Sequence, residues 1–163
     1  MATISTPVDW LGLNYYTRKL IAPAPGPWPA LQEVEGPLPK TQMGWEIYPE
    51  GLAFFLRRAH ADYAPGLPLY VTENGMANPD VLSDGHVDDE GRIAYLARHL
   101  HAVRDVIAEG VPVKGYFIWS LMDNYEWSLG YEKRFGLVHV DFETLARHPK
   151  ASYAALARAL ARG

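Results

Sequence analysis

Two stretches of this chain set acids, amides and aromatics directly after apolar runs. In Leu69-Tyr70-Val71-Thr72-Glu73-Asn74-Gly75 the run ends in a carboxylate, an amide and a glycine. In the other, Tyr116-Phe117-Ile118 leads into Trp119-Ser120-Leu121-Met122-Asp123-Asn124-Tyr125-Glu126-Trp127. Apolar runs of this kind read as strands covered on both faces, as in parallel sheets. α/β folds place their active sites at the carboxyl ends of such strands. Glu73 is therefore the first candidate for chemistry. Together the two strand ends describe one mouth lined for a polar, ring-shaped ligand. The chain has 5 Trp and 10 Tyr, many beside Gly, Pro, Asn or Glu. Singly, each is an ordinary core or rim aromatic; clustered at strand ends, such rings form a stacking surface.

These residues need elements to hold them. Val8 to Tyr16 reads as a strand running into Asn14-Tyr15-Tyr16. Pro23 to Pro39 is rich in Pro and Gly and reads as a long irregular loop, with Trp28 inside it and Trp45 just beyond. Pro49 opens a helix whose inward face is Leu52, Phe55, Leu56, Ala59 and Tyr63, with Gly66 as its exit. Leu67 to Thr72 is the next strand. Asn78 to Asp89 is a polar loop with an Asp84-Gly85 turn.

Asp88 or Asp89 caps the following helix, with Ile93, Leu96, Leu100, Val103 and Ile107 inward and Gly110 at its end. Val113 to Leu121 is a third strand, and Leu137 to Phe142 alternates as a short surface ribbon. Pro149 begins a last helix with Tyr153, Leu156 and Leu160 inward. Strands alternating with helices imply right-handed βαβ units and a parallel sheet, an α/β fold.

The bulk properties narrow the partners. A chain of 163 residues makes one domain that buries roughly 70% of its unfolded surface. A net charge of −4, with scattered charges, argues against nucleic acid or an anionic membrane. Without cysteine there is neither a disulfide framework nor a thiolate metal site. No apolar stretch approaches the ~20 residues of a bilayer span. Met1-Ala2-Thr3-Ile4-Ser5 lacks the basic start and apolar core of a signal peptide, so a cytoplasmic protein is expected.

The ordered motifs resemble the carboxyl-terminal portion of family 1 glycoside hydrolases, the β-glucosidases and β-galactosidases built on a (β/α)8 barrel. The matching residues are Leu11-Gly12-Leu13-Asn14-Tyr15-Tyr16, Met43-Gly44-Trp45-Glu46-Ile47-Tyr48-Pro49-Glu50-Gly51-Leu52 and Val71-Thr72-Glu73-Asn74-Gly75. They continue through Arg92-Ile93-Ala94-Tyr95-Leu96, then Gly115 to Trp127, then Lys133-Arg134-Phe135-Gly136-Leu137. The resemblance implies Glu73 as catalytic nucleophile and Tyr16 as its hydrogen-bond donor. It implies Trp119, Glu126 and Trp127 as holders of the non-reducing-end sugar, with Phe135 at the edge of that subsite. Asn14 is carried with the sugar-binding residues, and a structural role at a strand end is the alternative for it and for Asn74. Glu50 reads as a first-turn charge that suits the helix dipole.

The residue types agree with that chemistry. A carboxylate is a competent nucleophile for an oxocarbenium-like centre and forms a covalent glycosyl-enzyme. Glu126 can accept paired sugar hydroxyls in charge-assisted bonds. Trp119 offers an apolar face, and Trp127 adds an indole donor. Retaining glycosidases also need a second carboxyl about 5–5.5 Å from the nucleophile. By resemblance that acid lies in a Thr-x-Asn-Glu-Pro motif, and no Asn-Glu-Pro occurs in the sequence.

The resemblance makes the three strands the sixth, seventh and eighth of a barrel and the chain, 1–163, one incomplete domain, with 23–40 as an active-site loop. Its expected partners are a β-glucoside or related small saccharide, and the missing amino-terminal barrel portion or a second copy; no cofactor is called for. The alternative is a non-catalytic fragment with weak carbohydrate binding. A nucleotide or metal enzyme is disfavoured: there is no Gly-rich phosphate loop. His99 and His101 cannot share a helix face toward one metal. His60, His86, His139 and His148 are scattered singly, as surface or satisfied polar residues.

Overall fold

The computed structural model of the protein describes Thr3 and residues 6–162. Met1, Ala2, Ile4 and Ser5, on which the reading of the amino terminus partly rests, lie outside the described residues. In chain order the elements are β1 (Leu11–Asn14), β2 (Leu20–Pro23), β3 (Leu31–Val34), α1 (Pro49–Arg58) and β4 (Leu69–Asn74). Then come α2 (Glu90–Ala108), β5 (Val113–Ile118), β6 (Val138–Val140), β7 (Arg147–Pro149) and α3 (Ala151–Leu160). β1, β4 and β5 form a parallel sheet in the order β1-β4-β5. The α/β reading and the parallel sheet hold.

One face of this sheet carries the core. Leu69 and Val71 of β4 are fully buried with Leu52 and Leu56 of α1, Val106 of α2 and the neighbouring Val103 and Val113. Each such side chain contributes roughly 1.5–3 kcal/mol by leaving water. The opposite face departs from the expectation of burial on both sides. There Trp10 and Phe117 are exposed and, with Tyr70 and Thr72, line a depression. Alternation along a strand sends successive side chains to opposite faces, so only every second residue of β4 meets the helices.

Several elements differ from expectation. The 23–39 segment is not a structureless loop: β2 and β3 pair antiparallel, from Leu20 opposite Val34 to Pro23 opposite Leu31. The prolines and glycines fall at the end of β2, in the hairpin's tip and in the segment after β3, where proline breaks no ladder bond. α1 begins at Pro49 as expected, but Phe55 and Tyr63 are exposed; Leu52, Ala53, Leu56 and Ala59 face inward. In α2 the buried stripe runs through Arg92, Tyr95, Leu96, His99, Val103 and Val106, while Ile107 is exposed and Ile93 and Leu100 are only partly covered. That stripe is rotated because buried ionic and aromatic partners, rather than hydropathy alone, decide which side turns inward.

Asp89 stands at the N-cap of α2 without capping it through its side chain; its carboxylate instead accepts from Ser152 N (2.8 Å) at the start of α3. Pro149 closes β7, so α3 starts two residues later, and Tyr153 and Leu160 are exposed while Leu156 packs inward. The ribbon exists as β6 paired with β7, yet all three residues of β6 are buried. Asp84-Gly85 does form the turn, both with positive φ, joining Ser83 to His86.

Candidate active site

β4 and β5 end side by side, and that adjacency builds the site. Trp119 N donates to Asn74 O (2.9 Å) just past the last paired residues. A Cβ at Gly75 would fall 1.8 Å from the Trp119 carbonyl oxygen, so only glycine lets the two strand exits approach this closely. Asn74 is fully buried and ties three partners together: it donates to Tyr15 O (2.7 Å) and Tyr95 Oη (3.0 Å) and accepts from Tyr116 Oη. With its neighbour so anchored, Glu73 is held at the mouth.

Glu73 meets Tyr16, whose hydroxyl donates to Oε2 at 2.8 Å. Burial, the hydrogen bond to Glu73 and the fields of Glu73 and Glu126 push the Tyr16 phenol far above its ordinary value. It therefore stays a proton-bearing donor at any ordinary pH. Around the pair lies a cleft of about 210 Å3 lined by Tyr16, Trp45, Glu73, Trp119, Glu126, Trp127 and Phe135. Two carboxylates, three indoles, a phenol and a phenyl ring suit a ligand with both hydroxyls and apolar C–H faces. Trp127 is 82% exposed at the rim, on a short turn where its own φ is +45°. Glu126 Oε2 is buried without a hydrogen-bond partner, an acceptor left open toward the cleft it lines.

Six of the seven residues proposed for the site from the sequence line this cleft, and Asn14 does not. Its side chain accepts from Thr72 Oγ1 (2.6 Å) and joins β1 to β4. This is the strand-end role held open for Asn14, and Asn74 has its own version of it.

Trp45 belongs to the cleft, although neither its motif nor its place after the proline-rich stretch assigns it there. Its ring lies 5.5 Å from Tyr16 and 6.3 Å from Phe135, centroid to centroid. A turn from Thr41 to Trp45, with Gly44 at φ +74°, presents it. The signal for it in the sequence is the Met43-Gly44-Trp45-Glu46 motif. Beside it, buried Glu46 accepts from Arg18 Nε (2.6 Å) and Leu38 N (2.8 Å). The Arg18 guanidinium holds the Glu46 carboxyl below the usual carboxylate range, so Glu46 is spoken for structurally. Glu50 sits exposed in the first turn of α1.

Behind the cleft wall lies an ionic cluster, of which Asp80, Asp89 and Lys150 belong to none of the matching motifs. Asp80 pairs with Arg92 (2.9 Å) and Lys150, and Asp123 with Lys150 (2.8 Å) and Arg134 (2.7 Å). Asp89 pairs with Arg92 and accepts from Ser152 Oγ (2.6 Å). His139 lies beside Asp123, and burial lowers its pKa. Three carboxylates thus face three cations and the cluster is electrically balanced, the condition for keeping charges out of water. Among the described residues no group of His, Asp and Glu is arranged to hold a metal ion.

The fold and the cleft define a class, an α/β protein with a carboxylate–phenol pair at its strand ends in an aromatic, acid-bearing cleft. The chain belongs to glycosyl hydrolase family 1, whose profile matches residues 1–160. It is 48% identical over 153 residues to β-glucosidase A of Thermotoga maritima, covering 93% of this chain and 34% of that protein. In structure it is similar to the β-glucosidase from Exiguobacterium antarcticum, with a TM-score of 0.95 and 44% identity, over 99% of this chain and 36% of that one. It is likewise similar to the Thermotoga maritima β-glucosidase in complex with castanospermine, with a TM-score of 0.92 and 45% identity, over 98% of this chain and 36% of that one. The chain therefore spans about a third of the length of the relatives it matches.

Proposed function

We propose that this chain is the carboxyl-terminal portion of a retaining β-glycosidase acting on β-glucosides, with Glu73 as nucleophile. Its three parallel strands stand as the sixth, seventh and eighth of a barrel completed by an amino-terminal portion. The observation that carries the reading is the Tyr16–Glu73 pair at 2.8 Å inside the cleft of Trp119, Glu126, Trp127 and Phe135. Full membership in a β-glucosidase-bearing family and the third-length coverage support it.

In the first step a Glu73 carboxylate oxygen attacks the anomeric carbon while the bond to the aglycone oxygen breaks. The bonding pair leaves on that oxygen, which takes a proton from an acid on the completing portion of the enzyme. Water, deprotonated by the same carboxyl, then attacks the anomeric carbon and releases Glu73. Tyr16 keeps the carboxylate aimed by donating to one oxygen and leaving the other free. Glu126 accepts two sugar hydroxyls, Trp119 covers a C–H face and Trp127 contributes its N–H.

A 2-deoxy-2-fluoro-β-glucoside with a dinitrophenolate leaving group needs no acid, so it tests the nucleophile and sugar site alone. Intact mass and peptide mapping should show one adduct, on Glu73. Adduct only after addition of the amino-terminal portion would place site formation in the completed barrel. Saturable sugar binding with no adduct under either condition would favour the non-catalytic reading and overturn this one.

A further inference from the structure

We infer that the buried ionic cluster of Arg92, Lys150, Asp80 and Asp123 is the device that positions Phe135, and through it the inner wall of the cleft. The inference deepens the reading of the cleft as a sugar site. Phe135 is 2% exposed, and both peptide groups flanking it are gripped by cluster members. On its amino-terminal side Arg92 Nη2 donates to Arg134 O (2.8 Å). On its carboxyl-terminal side Gly136 N donates to Asp123 Oδ1 (2.9 Å). A Cβ at Gly136 would lie 2.2 Å from the backbone nitrogen of Asp123 and 2.7 Å from its Oδ1, so only glycine lets this segment lie so close to Asp123.

The same carboxylate oxygen takes the ammonium of Lys150, which also reaches Asp80, and Asp80 in turn takes Arg92. The two grips on Phe135 are therefore joined through one continuous chain of ion pairs that links α2, the loop before it, the residue before α3 and the loop after β5. Ionic networks of this kind are rigid because every member has few alternative partners out of water. Phe135 meets Tyr16 edge-on at 6.2 Å and Trp45 at 6.3 Å, and its carbonyl accepts from Ser120 N (3.3 Å), next to Trp119. Displacement of Phe135 is thus transmitted to the phenol that holds Glu73 and to two of the three indoles.

These are positioning residues, and the test reads position without any sugar. The full chain carries 5 Trp, of which Trp45, Trp119 and Trp127 line the cleft while Trp10 and Trp28 do not. Labelled with 5-fluorotryptophan, it gives one 19F resonance for each. Arg92→Lys keeps the charge but cannot span Asp80, Asp89 and the Arg134 carbonyl together, because an ammonium lacks the guanidinium fork. The expected result is a shift beyond the linewidth for Trp45 and Trp119, with Trp10 and Trp28 unmoved; Asp123→Asn, the second variant, should move the same pair.

Unmoved Trp45 and Trp119 in a folded variant would overturn the proposal, as would equal shifts of all five. Loss of the folded spectrum in both variants would also overturn it, making the cluster a requirement of the whole fold. Because no reagent at Glu73 is involved, failure of the labelling experiment and failure of this one are separate results.

Discussion

The molecule uses carboxylates in two opposed ways a few residues apart. In the cluster, Asp80, Asp89 and Asp123 each meet two or more donors, and no carboxylate oxygen of theirs is left buried without a partner among the described residues. In the cleft, Glu73 has one phenol and Glu126 keeps a buried oxygen without any partner. A saturated carboxylate has no capacity left for a ligand and works as a fastener. An unsaturated one at a cleft wall retains acceptor capacity for a nucleophilic attack or a pair of hydroxyls. The cluster carboxylates are fully buried while Glu73 and Glu126 are only partly so, and the count of donors divides them in the same way.

The largest effect expected on this contrast is at Glu73. Glu73→Gln keeps the shape and removes the nucleophilic charge, so adduct formation with the fluoro-glucoside should fall by roughly 10^4-fold or more, measured by intact mass over time. Its stability should stay close to that of the parent chain, since the carboxylate has a single hydrogen-bonded partner. The opposite pattern is expected behind the wall. Lys150→Met leaves Asp80 and Asp123 facing each other without their shared cation. Breaking a buried pair in this way costs about 3–5 kcal/mol, to be read from urea unfolding. A stable Lys150→Met chain would dissolve the distinction between fasteners and open acceptors.

How much of this could be read beforehand follows the same division. The cleft residues announce themselves because each ends an apolar run or sits in a motif, and Glu73, Trp119 and Glu126 are found where β4 and β5 stop. Trp45 is half legible: it sits in a motif, but nothing local shows that its ring reaches Tyr16 across the fold. The cluster was illegible. Asp80 and Lys150 look like ordinary loop charges, nothing local separates Asp123 from the acids of the mouth, and only tertiary structure brings together residues 43 and 70 positions apart. The same effect rotated α2: a pattern built on Ile93 and Ile107 assigns Arg92 and His99 to solvent, whereas ion pairing and stacking on Tyr95 (3.9 Å between centroids) draw both inward. The hairpin of β2 and β3 was hidden because proline density masked two four-residue strands beside it.

Acid sharpens the contrast further, since the buried groups titrate at different pH. His99 is fully buried, its Nδ1 bonded to Tyr95 O (2.8 Å), and burial lowers its pKa from 6.5 to about 4. Between those values the unfolded chain takes up the proton and the folded one does not, so stability falls as pH drops. The loss should total about 3 kcal/mol by pH 4, and His99→Gln should flatten that window in a pH series of urea midpoints. Asp80, held below the usual carboxylate range by Arg92 and Lys150 against the opposing effect of burial, acts in the same direction but at lower pH. Its contribution is present above the unfolded carboxyl pKa and is lost only as pH falls through the lower folded value. A variant that flattened only the region below pH 4 would assign the acid sensitivity to the cluster instead.

The smallest effect expected is the most discriminating. Tyr16→Phe deletes one hydrogen bond to a charged acceptor, worth about 1.5–3 kcal/mol, and leaves the aromatic contacts with Trp45 and Phe135 in place. If the pair belongs to the chemistry, that energy is expressed in the rate: fluoro-glucoside labelling slows by roughly 10–100-fold, while the urea midpoint moves little. If it is a fastener like the cluster, the energy is expressed in stability and labelling proceeds at the parent rate. Glu73 in the variant would still have water as an alternative donor in the open cleft, whereas Asp123 deprived of Lys150 would not. For that reason the loss at Tyr16 is expected in the reaction and not in the fold.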